Sequence, residues 1–390
     1  MLEKLKDQKI LFIVVGLGFY LLSTGISYAF FSRGKGVEMV SPVSPLPEKV
    51  VSRIPLDMPK TEACPLTGEK FTVIEREIWE KRRPLTVMIE NHQDSRPQSG
   101  LSKADVVYEA VAEGGITRLL AVFYCRAAFG EIQIGPVRSA RTYFMDFASE
   151  YSDFPLYAHV GGANTPGPAN ALGQIADYGW VAKGNDFNQF SIGFPVFWRD
   201  YERLDHPVAT EHTMYSTTEK LWGVAIQRRL TNVDSEGTKW NKNFVAWQFK
   251  EDEPSGQEVS PALSFWSGYK DYDVLWQYEK GSNSYKRING GETHQDLNNN
   301  EQLVAKTVIL AFMRESRAND GYINNLHLLY KTKGSGLALV FQDGEVIEGT
   351  WTKEDRQARM TFEDKGGKVI KLNSGPIWVE ILPTGAAIDY

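Results

Sequence analysis

Apolar runs rich in β-branched residues alternate with short helical patterns between Pro84 and Leu230. The run "LTVMIEN" after Pro84 is typical of a buried strand, and "ADVVYEAVAEGGITRLLAVFYC" predicts two strands joined by a hairpin at Glu113-Gly114-Gly115. "PLYAHVGG" predicts another strand, and a helix is expected after Pro168 because proline fits a first helical turn. These elements predict an α/β or α+β layered N-terminal domain with a mixed sheet.

A further helix is predicted after Ser139, which is a candidate N-cap. Four residues recur there at the i, i+3, i+4, i+7 spacing of a buried helical face: Phe144, Phe147, Ala148 and Tyr151. Arg138 and Arg141 lie where this helix begins, beside the positive end of its dipole. A cation there costs up to about 1 kcal/mol unless an anion compensates it, and that anion is either a protein carboxylate or a ligand.

After Leu230 the pattern changes to short runs that alternate with period two between Gly, Asn and Asp turns, such as "YDVLWQYEKGSNSYKRING" and "IWVEILP". This alternation, with many aromatic residues, predicts a β-rich, largely antiparallel C-terminal domain. No fixed-period repeat occurs, so a solenoid or a propeller is not expected.

The N-terminal residues Ile10–Phe31 form an uncharged apolar run long enough to cross a bilayer as a helix. Lysines precede the run, which favours a single-pass anchor with a cytoplasmic N-terminus and an extracytoplasmic body; the alternative is a signal cleaved after Ala29. No cysteine follows the run closely, so a lipid-attachment site is not expected. The predicted organisation is an anchor at 1–33, a Pro-rich spacer and lead-in at 34–83, a mixed α/β domain at 84–235 and a β-rich domain at 236–390.

A net charge of -6 argues against a general nucleic-acid binder, which needs a basic surface to displace counterions. The two cysteines, Cys64 and Cys125, could pair in an exported protein or remain as two small buried residues, and the sequence leaves both options open.

Polar residues collect at the predicted strand ends and turns of the first domain, where layered α/β proteins place their sites. Arginine binds carboxylate and phosphate through two parallel hydrogen bonds, so one interpretation is an anion pocket. The alternative is that Glu113, Asp146 and Glu150 balance the arginines internally. The candidate ligand-binding residues are Arg96, Glu113, Arg118, Arg138, Arg141, His159 and His212.

The sequence contains no HExxH, CxxC, GxSxG, Walker A or strand-borne GxGxxG motif, so no cofactor, metal or catalytic residue is assigned. His206 and His212 lie six residues apart, which is not a zinc-enzyme spacing, and they are interpreted as structural. Glu109 and Glu113 would lie about 13 Å apart on one strand face, too far for paired glycosidase carboxylates.

Several segments together resemble the YerB-like bacterial envelope proteins, a family whose domain of unknown function has an N-terminal and a C-terminal part. The resemblance spans about Cys64 to Pro383 and is carried by "IGPVRSARTYFMDFASEY", "FWRD", "EHTMYSTTEKL" and "GSGLALVFQDGEVIEGTWTK". It implies an exported, two-part protein and supplies no reaction. About 30 residues around "GPVRSAR" and "HVGGAN" also resemble the LytR-CpsA-Psr phosphotransferases in layout, without that family's expected proline-arginine-aspartate run.

Three functional hypotheses follow. The preferred one is a membrane-anchored envelope protein that binds an anionic cell-wall or lipid-linked ligand in an arginine-lined pocket, which the β-rich domain completes. The second is a glycopolymer phosphotransferase-like enzyme that uses the same pocket with a divalent metal and an acidic ligand such as Glu113 or Asp146. The third is a non-catalytic envelope scaffold in which all these groups are structural.

Overall fold

A mixed sheet of ten strands forms the centre of the computed structural model, which describes residues 58–390. Its strands in chain order are β1 Leu85–Glu90, β2 Val106–Glu113, β3 Ile116–Phe123, β4 Leu156–His159, β5 Asp186–Asn188, β6 Thr307–Met313, β7 Gly334–Gln342, β8 Glu345–Lys353, β9 Thr361–Asp364 and β10 Ile377–Pro383. Their spatial order is β9-β8-β7-β6-β10-β2-β3-β1-β4-β5.

The two halves of the chain share this sheet, because β10 lies between β6 and β2 and pairs in parallel with both. β1, β4 and β5 are also parallel neighbours, whereas β2, β3 and β1 pair antiparallel. The predicted mixed sheet and the β-rich C-terminal part are therefore confirmed. The boundary predicted near residue 235 stays a prediction.

The β2–β3 hairpin turns where its glycines were predicted to turn it. Gly114 and Gly115 have φ values of 58° and 81°. Positive φ at both central residues is what a two-residue type I′ hairpin turn requires. The turn brings Glu113, the last residue of β2, to the edge of the sheet at which β1 ends.

The described part of the chain, residues 58–390, contains six α-helices: α1 Val73–Trp79, α2 Thr142–Ala148, α3 Ala171–Asp177, α4 Trp180–Lys183, α5 Gln189–Ile192 and α6 Thr218–Gln227. The helix expected after Pro168 is α3, with Asn170 as its N-cap. α1 lies in the predicted lead-in, where Thr72 and Glu75 form a capping box and Trp79 is buried.

Helix α2 begins two residues later than its predicted start. Its N-cap is Arg141 rather than Ser139, and no side chain caps it. The predicted face is buried, but so is every other residue of α2. The reason is that a C-terminal segment covers the outer face: Tyr143 packs on Tyr330, and Asp146 accepts a hydrogen bond from Thr332.

Smaller sheets and 3-10 turns complete the fold. A six-stranded sheet contains Ala262–Leu263, Val274–Glu279, Ser284–Asn289, Glu292–Thr293, Val304–Ala305 and Ile388–Asp389. Gln133–Ile134, Met214–Thr217 and Trp198–Arg199 form a three-stranded sheet, and the two-stranded pairs are Glu62–Ala63 with Lys70–Phe71, Phe249–Lys250 with Leu372–Asn373, and Glu315–Arg317 with Leu328–Tyr330. The 3-10 turns are Gln93–Ser95, Leu101–Lys103, Ser149–Tyr151, Thr210–His212, Lys270–Tyr272 and Ile323–Asn325.

Cys64 and Cys125 form a disulfide, which resolves the alternative left open by the sequence. Asp105 is fully buried nearby and accepts hydrogen bonds from the backbone N–H groups of Tyr124, at 2.6 Å, and Arg126, at 3.2 Å. Burial raises the pKa of Asp105 to about 7.

A fully buried ion cluster links strands of both halves. The Arg287 guanidinium donates to Glu380 on β10 at 2.8 Å and to Glu109 on β2 at 2.5 Å. It also lies over the rings of Trp276 and Trp378. Glu109 is therefore a structural residue that holds β2 to the six-stranded sheet.

The predicted membrane segment Ile10–Phe31 lies outside the described residues. Within residues 58–390, no helix is long and apolar enough to cross a membrane.

Candidate functional site

Charged residues gather at one edge of the central sheet. Parallel strands β1 and β4 both end there, at Glu90 and His159. The β2–β3 hairpin turns at the same edge, because Glu90 is paired in register with Arg118 of β3. The edge therefore brings together residues that are far apart in the chain, as the strand-end pattern predicts.

Arg138 is fixed between the ends of these strands by its backbone. Its N–H donates to the Met88 carbonyl at 2.8 Å, and its carbonyl accepts from Val160 N–H at 3.0 Å. Its Nε lies 3.0 Å from Oε1 of the buried Glu90. Among residues 58–390, the two terminal nitrogens of Arg138 donate no hydrogen bond, so two of its three guanidinium nitrogens are available to another group.

The other oxygen of Glu90 binds a histidine. His212 Nδ1 lies 2.9 Å from Glu90 Oε2 and donates its hydrogen to that carboxylate. This hydrogen bond raises the pKa of His212, and burial opposes the increase. The imidazole of His92 stacks on that of His212 with 4.8 Å between ring centroids.

A solvent-open cavity of about 630 Å³ lies in front of Arg138, and we call it the Arg138 cavity. Arg199 and Glu211 are its other charged lining residues. Its apolar lining residues are Val137, Val160, Leu172, Phe190 and Met214. Hydrogen bonding to its own backbone lowers the pKa of Glu211, and the nearby charges of His212, Arg138 and His92 lower it further.

Arg141 and Arg118 do not line this cavity. Both contact Glu113: Arg141 through Oε1, and Arg118 through Oε2 at 3.3 Å. Arg118 also donates to the Ser139 carbonyl at 2.9 Å. Burial lowers the pKa of both arginines. Arg141, the cation at the start of α2, is thus compensated by the carboxylate of Glu113, as the interpretation of internal charge balance expects. Arg138 instead faces a cavity.

His159 is completely buried and does not line the Arg138 cavity. Its Nδ1 lies 2.6 Å from the Gly161 carbonyl and its Nε2 lies 2.6 Å from Asp186 Oδ1. Both partners are acceptors, so the ring ties the loop after β4 to β5. The hydrogen bond to Gly161 connects His159 to a lining residue of the cavity.

Arg96 lies at a second cavity, of about 350 Å³, between the two halves of the chain. It donates to the Asn91 side chain at 3.1 Å and to the Asn91 carbonyl at 3.0 Å. Burial lowers the pKa of Arg96 to about 10, so it remains charged at neutral pH. The Arg138 cavity does not include Arg96 or any residue of the β-rich part, because its lining residues all fall within 137–214, and the single pocket that unites Arg96 with Arg138 stays a prediction.

Sequence reasoning missed three residues of this site. Glu90 was noticeable only as the charged end of an apolar strand, and Arg199 only as part of the "FWRD" segment. Glu211 precedes the candidate His212 and gave no signal of its own. Of the predicted residues, the structure brings Arg138 and His212 together around Glu90, and Arg118 and Arg141 together around Glu113.

Comparisons with known proteins agree with this architecture. The family model "Protein of unknown function (DUF3048) N-terminal domain" matches residues 66–231, and the corresponding C-terminal domain matches residues 263–379. A protein of Bacillus subtilis (strain 168) named "Putative lipoprotein YerB" is 28% identical over 331 residues, which cover 84% of this chain and 88% of that protein. A crystal structure of the YerB protein from Bacillus subtilis superposes with a TM-score of 0.64 and 25% identity, over 85% of this chain and 100% of that one.

Proposed function

The chain belongs to the DUF3048 family, and from that premise we propose that it is an extracytoplasmic cell-envelope protein that binds an amphiphilic anion in the Arg138 cavity. Ile10–Phe31 anchors it as a single-pass segment with a cytoplasmic N-terminus, or is removed after Ala29. The ligand is an anionic cell-wall or lipid-linked molecule.

The location is supported by three observations. A relative that aligns with most of this chain carries the name "Putative lipoprotein YerB". The Cys64–Cys125 disulfide is of a kind that persists in oxidising compartments outside the cytoplasm. The apolar run is long enough to span a bilayer and is preceded by lysines. A reporter enzyme fused after Tyr390 should therefore be active outside the cytoplasm, and activity only in the cytoplasm would contradict this topology.

The ligand proposal rests mainly on the terminal nitrogens of the Arg138 guanidinium, which are unpaired among residues 58–390. Glu90 contacts only its Nε side, and its terminal nitrogens have no protein partner among the described residues. Free guanidinium nitrogens beside an open cavity are suited to the paired oxygens of a phosphate or carboxylate. Arg199 lines the same cavity and adds a second positive charge.

The apolar lining narrows the class of ligand. Val160, Leu172 and Phe190 line the cavity, and the Phe190 side chain is largely exposed at 76%. Ligand sites are lined mainly by apolar and aromatic side chains together with a few polar groups, and the Arg138 cavity has both. A molecule that joins an anionic head to an apolar chain, such as a prenyl pyrophosphate, fits both parts of the lining.

Calorimetry with the full chain in nanodiscs tests this proposal. Farnesyl pyrophosphate should bind and farnesol, which lacks the charge, should not. Arg138→Gln should weaken farnesyl pyrophosphate binding at least 10-fold with the fold intact, whereas Arg76→Gln, which removes an exposed arginine outside the cavity, should bind like the wild type.

Equal binding by Arg138→Gln and the wild type, or equal binding of farnesol, would overturn the proposal and favour the scaffold. Release of inorganic phosphate or transfer of the prenyl phosphate to an acceptor in the same samples would instead favour the phosphotransferase-like alternative.

A further inference from the structure

Two histidines and an aspartate meet beside the Arg138 cavity. The potential ligand atoms of His92, Asp94 and His212 all lie within 4.8 Å of one another. His92 and Asp94 follow the end of β1, and His212 ends the Thr210–His212 turn. The structure describes all six histidines of the chain, and of these only His92 and His212 stack on each other.

The hydrogen bonds of His212 prepare one of its nitrogens for coordination. Because Nδ1 donates to Glu90 at 2.9 Å, Nε2 of the neutral ring keeps its lone pair. A carboxylate that holds the distal nitrogen of a metal-bound histidine is a usual outer partner of such sites, since it fixes the ring and makes it more basic. Glu90 is in that position.

The distances also approach those of a metal centre. His92 Nδ1 lies 3.7 Å from Asp94 Oδ2 and accepts a hydrogen bond from the Asp94 backbone N–H at 3.2 Å, a bond that metal coordination through Nδ1 would replace. Two ligands of one tetrahedral zinc ion lie about 3.3 Å apart, given bond lengths of about 2.0 to 2.1 Å. The Asp94 side chain is 58% exposed, so it is free to close the remaining gap.

We propose that His92, Asp94 and His212 bind a divalent first-row transition metal ion such as Zn²⁺. Two imidazoles and one carboxylate are a ligand set that borderline ions prefer, and Mg²⁺ or Ca²⁺ would require more oxygen ligands. Three protein ligands leave a coordination position open. Glu211, which precedes His212 in the chain, lines the Arg138 cavity, so the proposed metal site lies beside that cavity.

This metal site does not depend on anion binding by Arg138, and the two proposals can fail separately. No metal ligand is assigned from the sequence because His92 and His212 come from different segments of the first domain, without a recognised spacing. The divalent metal of the phosphotransferase-like hypothesis was expected at Glu113 or Asp146. Glu113 instead pairs with two arginines, and Asp146 pairs with Lys333.

The test uses the full chain without a polyhistidine tag, at pH 8, where neutral imidazole predominates. Zn²⁺ titration by calorimetry should show one site per chain, and Co²⁺ should give visible absorption bands of a low-symmetry site. His92→Ala should weaken Zn²⁺ binding at least 100-fold and abolish the Co²⁺ bands. His206→Ala, which removes an exposed histidine outside the cluster, should change neither.

Glu90→Gln should weaken Zn²⁺ binding by about 10- to 100-fold, the usual effect of losing an outer partner. His92 is partly exposed, so its replacement should leave the thermal unfolding midpoint near that of the wild type. Zn²⁺ affinity that is equal in His92→Ala and the wild type, or absent from the wild type, would overturn the metal site.

Discussion

Arg138 and Glu90 form an ion pair in which Nε lies 3.0 Å from Oε1, and the same carboxylate binds His212 through its other oxygen. Glu90 therefore fixes the direction of an arginine that faces a cavity and of a histidine that lies beside it. Arg141, three residues after Arg138, contacts Glu113 instead and is buried. The two arginines at the start of α2 thus have different roles, one facing solvent and one inside the fold.

Replacing Arg141 should reduce stability. Arg141→Gln removes a partner from the partly buried Glu113 and should lower the free energy of unfolding by about 1 to 3 kcal/mol. Urea denaturation of the full chain measures this, with Arg76→Gln as a control that should leave the midpoint unchanged. The double variant Glu113→Gln with Arg141→Gln should lose less than the sum of the single losses, and strict additivity would show that the two residues do not interact.

The Arg287 cluster should contribute more to the free energy of unfolding than the Arg141–Glu113 pair does. Arg287→Met leaves the buried carboxylates of Glu109 and Glu380 without their shared cation, which costs about 3 to 5 kcal/mol when a buried pair is broken. Lys286→Met changes the adjacent residue, which pairs with Glu279 near the surface, and should have little effect. Comparable unfolding midpoints for the two variants would mean that the cluster does not hold the halves of the chain together.

The sequence predicts the secondary-structure elements well and the ion-pair partners of the arginines poorly. The hairpin at Gly114 and Gly115 and the buried face of α2 follow from local patterns, and the structure has both. Arg138 pairs with Glu90, and Arg141 pairs with Glu113, because of which strands become neighbours in the sheet. No local pattern contains that information. Ser139 was a good N-cap by residue type, but the backbone remains extended until Arg141 because residues 138 and 140 bond to β1 and to the loop after β4.

Asp105 should make stability depend on pH. Its pKa is about 7 in the folded protein and about 3.9 in an unfolded chain, so the folded state holds a proton that the unfolded state has released between these values. The contribution of Asp105 to the free energy of unfolding is largest below about pH 4. It falls as the pH rises to about 7, by at most about 1.4 kcal/mol per pH unit.

Urea unfolding of the wild type and Asp105→Asn at pH 5, 6, 7 and 8 checks this prediction. The wild type should lose stability relative to the variant between pH 5 and 7, and the difference should level off by pH 8. A difference that is constant, or that favours the wild type as the pH rises, would contradict the raised pKa.

Photoaffinity labelling tests most directly whether an amphiphilic anion binds at Arg138. The full chain in nanodiscs is irradiated with a prenyl pyrophosphate that carries a benzophenone on its apolar chain, and the labelled peptides are identified by mass spectrometry. Label should fall on the peptides that contain Leu172 and Phe190, excess farnesyl pyrophosphate should remove it, and Arg138→Gln should lose it. Label confined to residues outside 137–214, or label that persists in Arg138→Gln, would contradict the Arg138 cavity as the binding site.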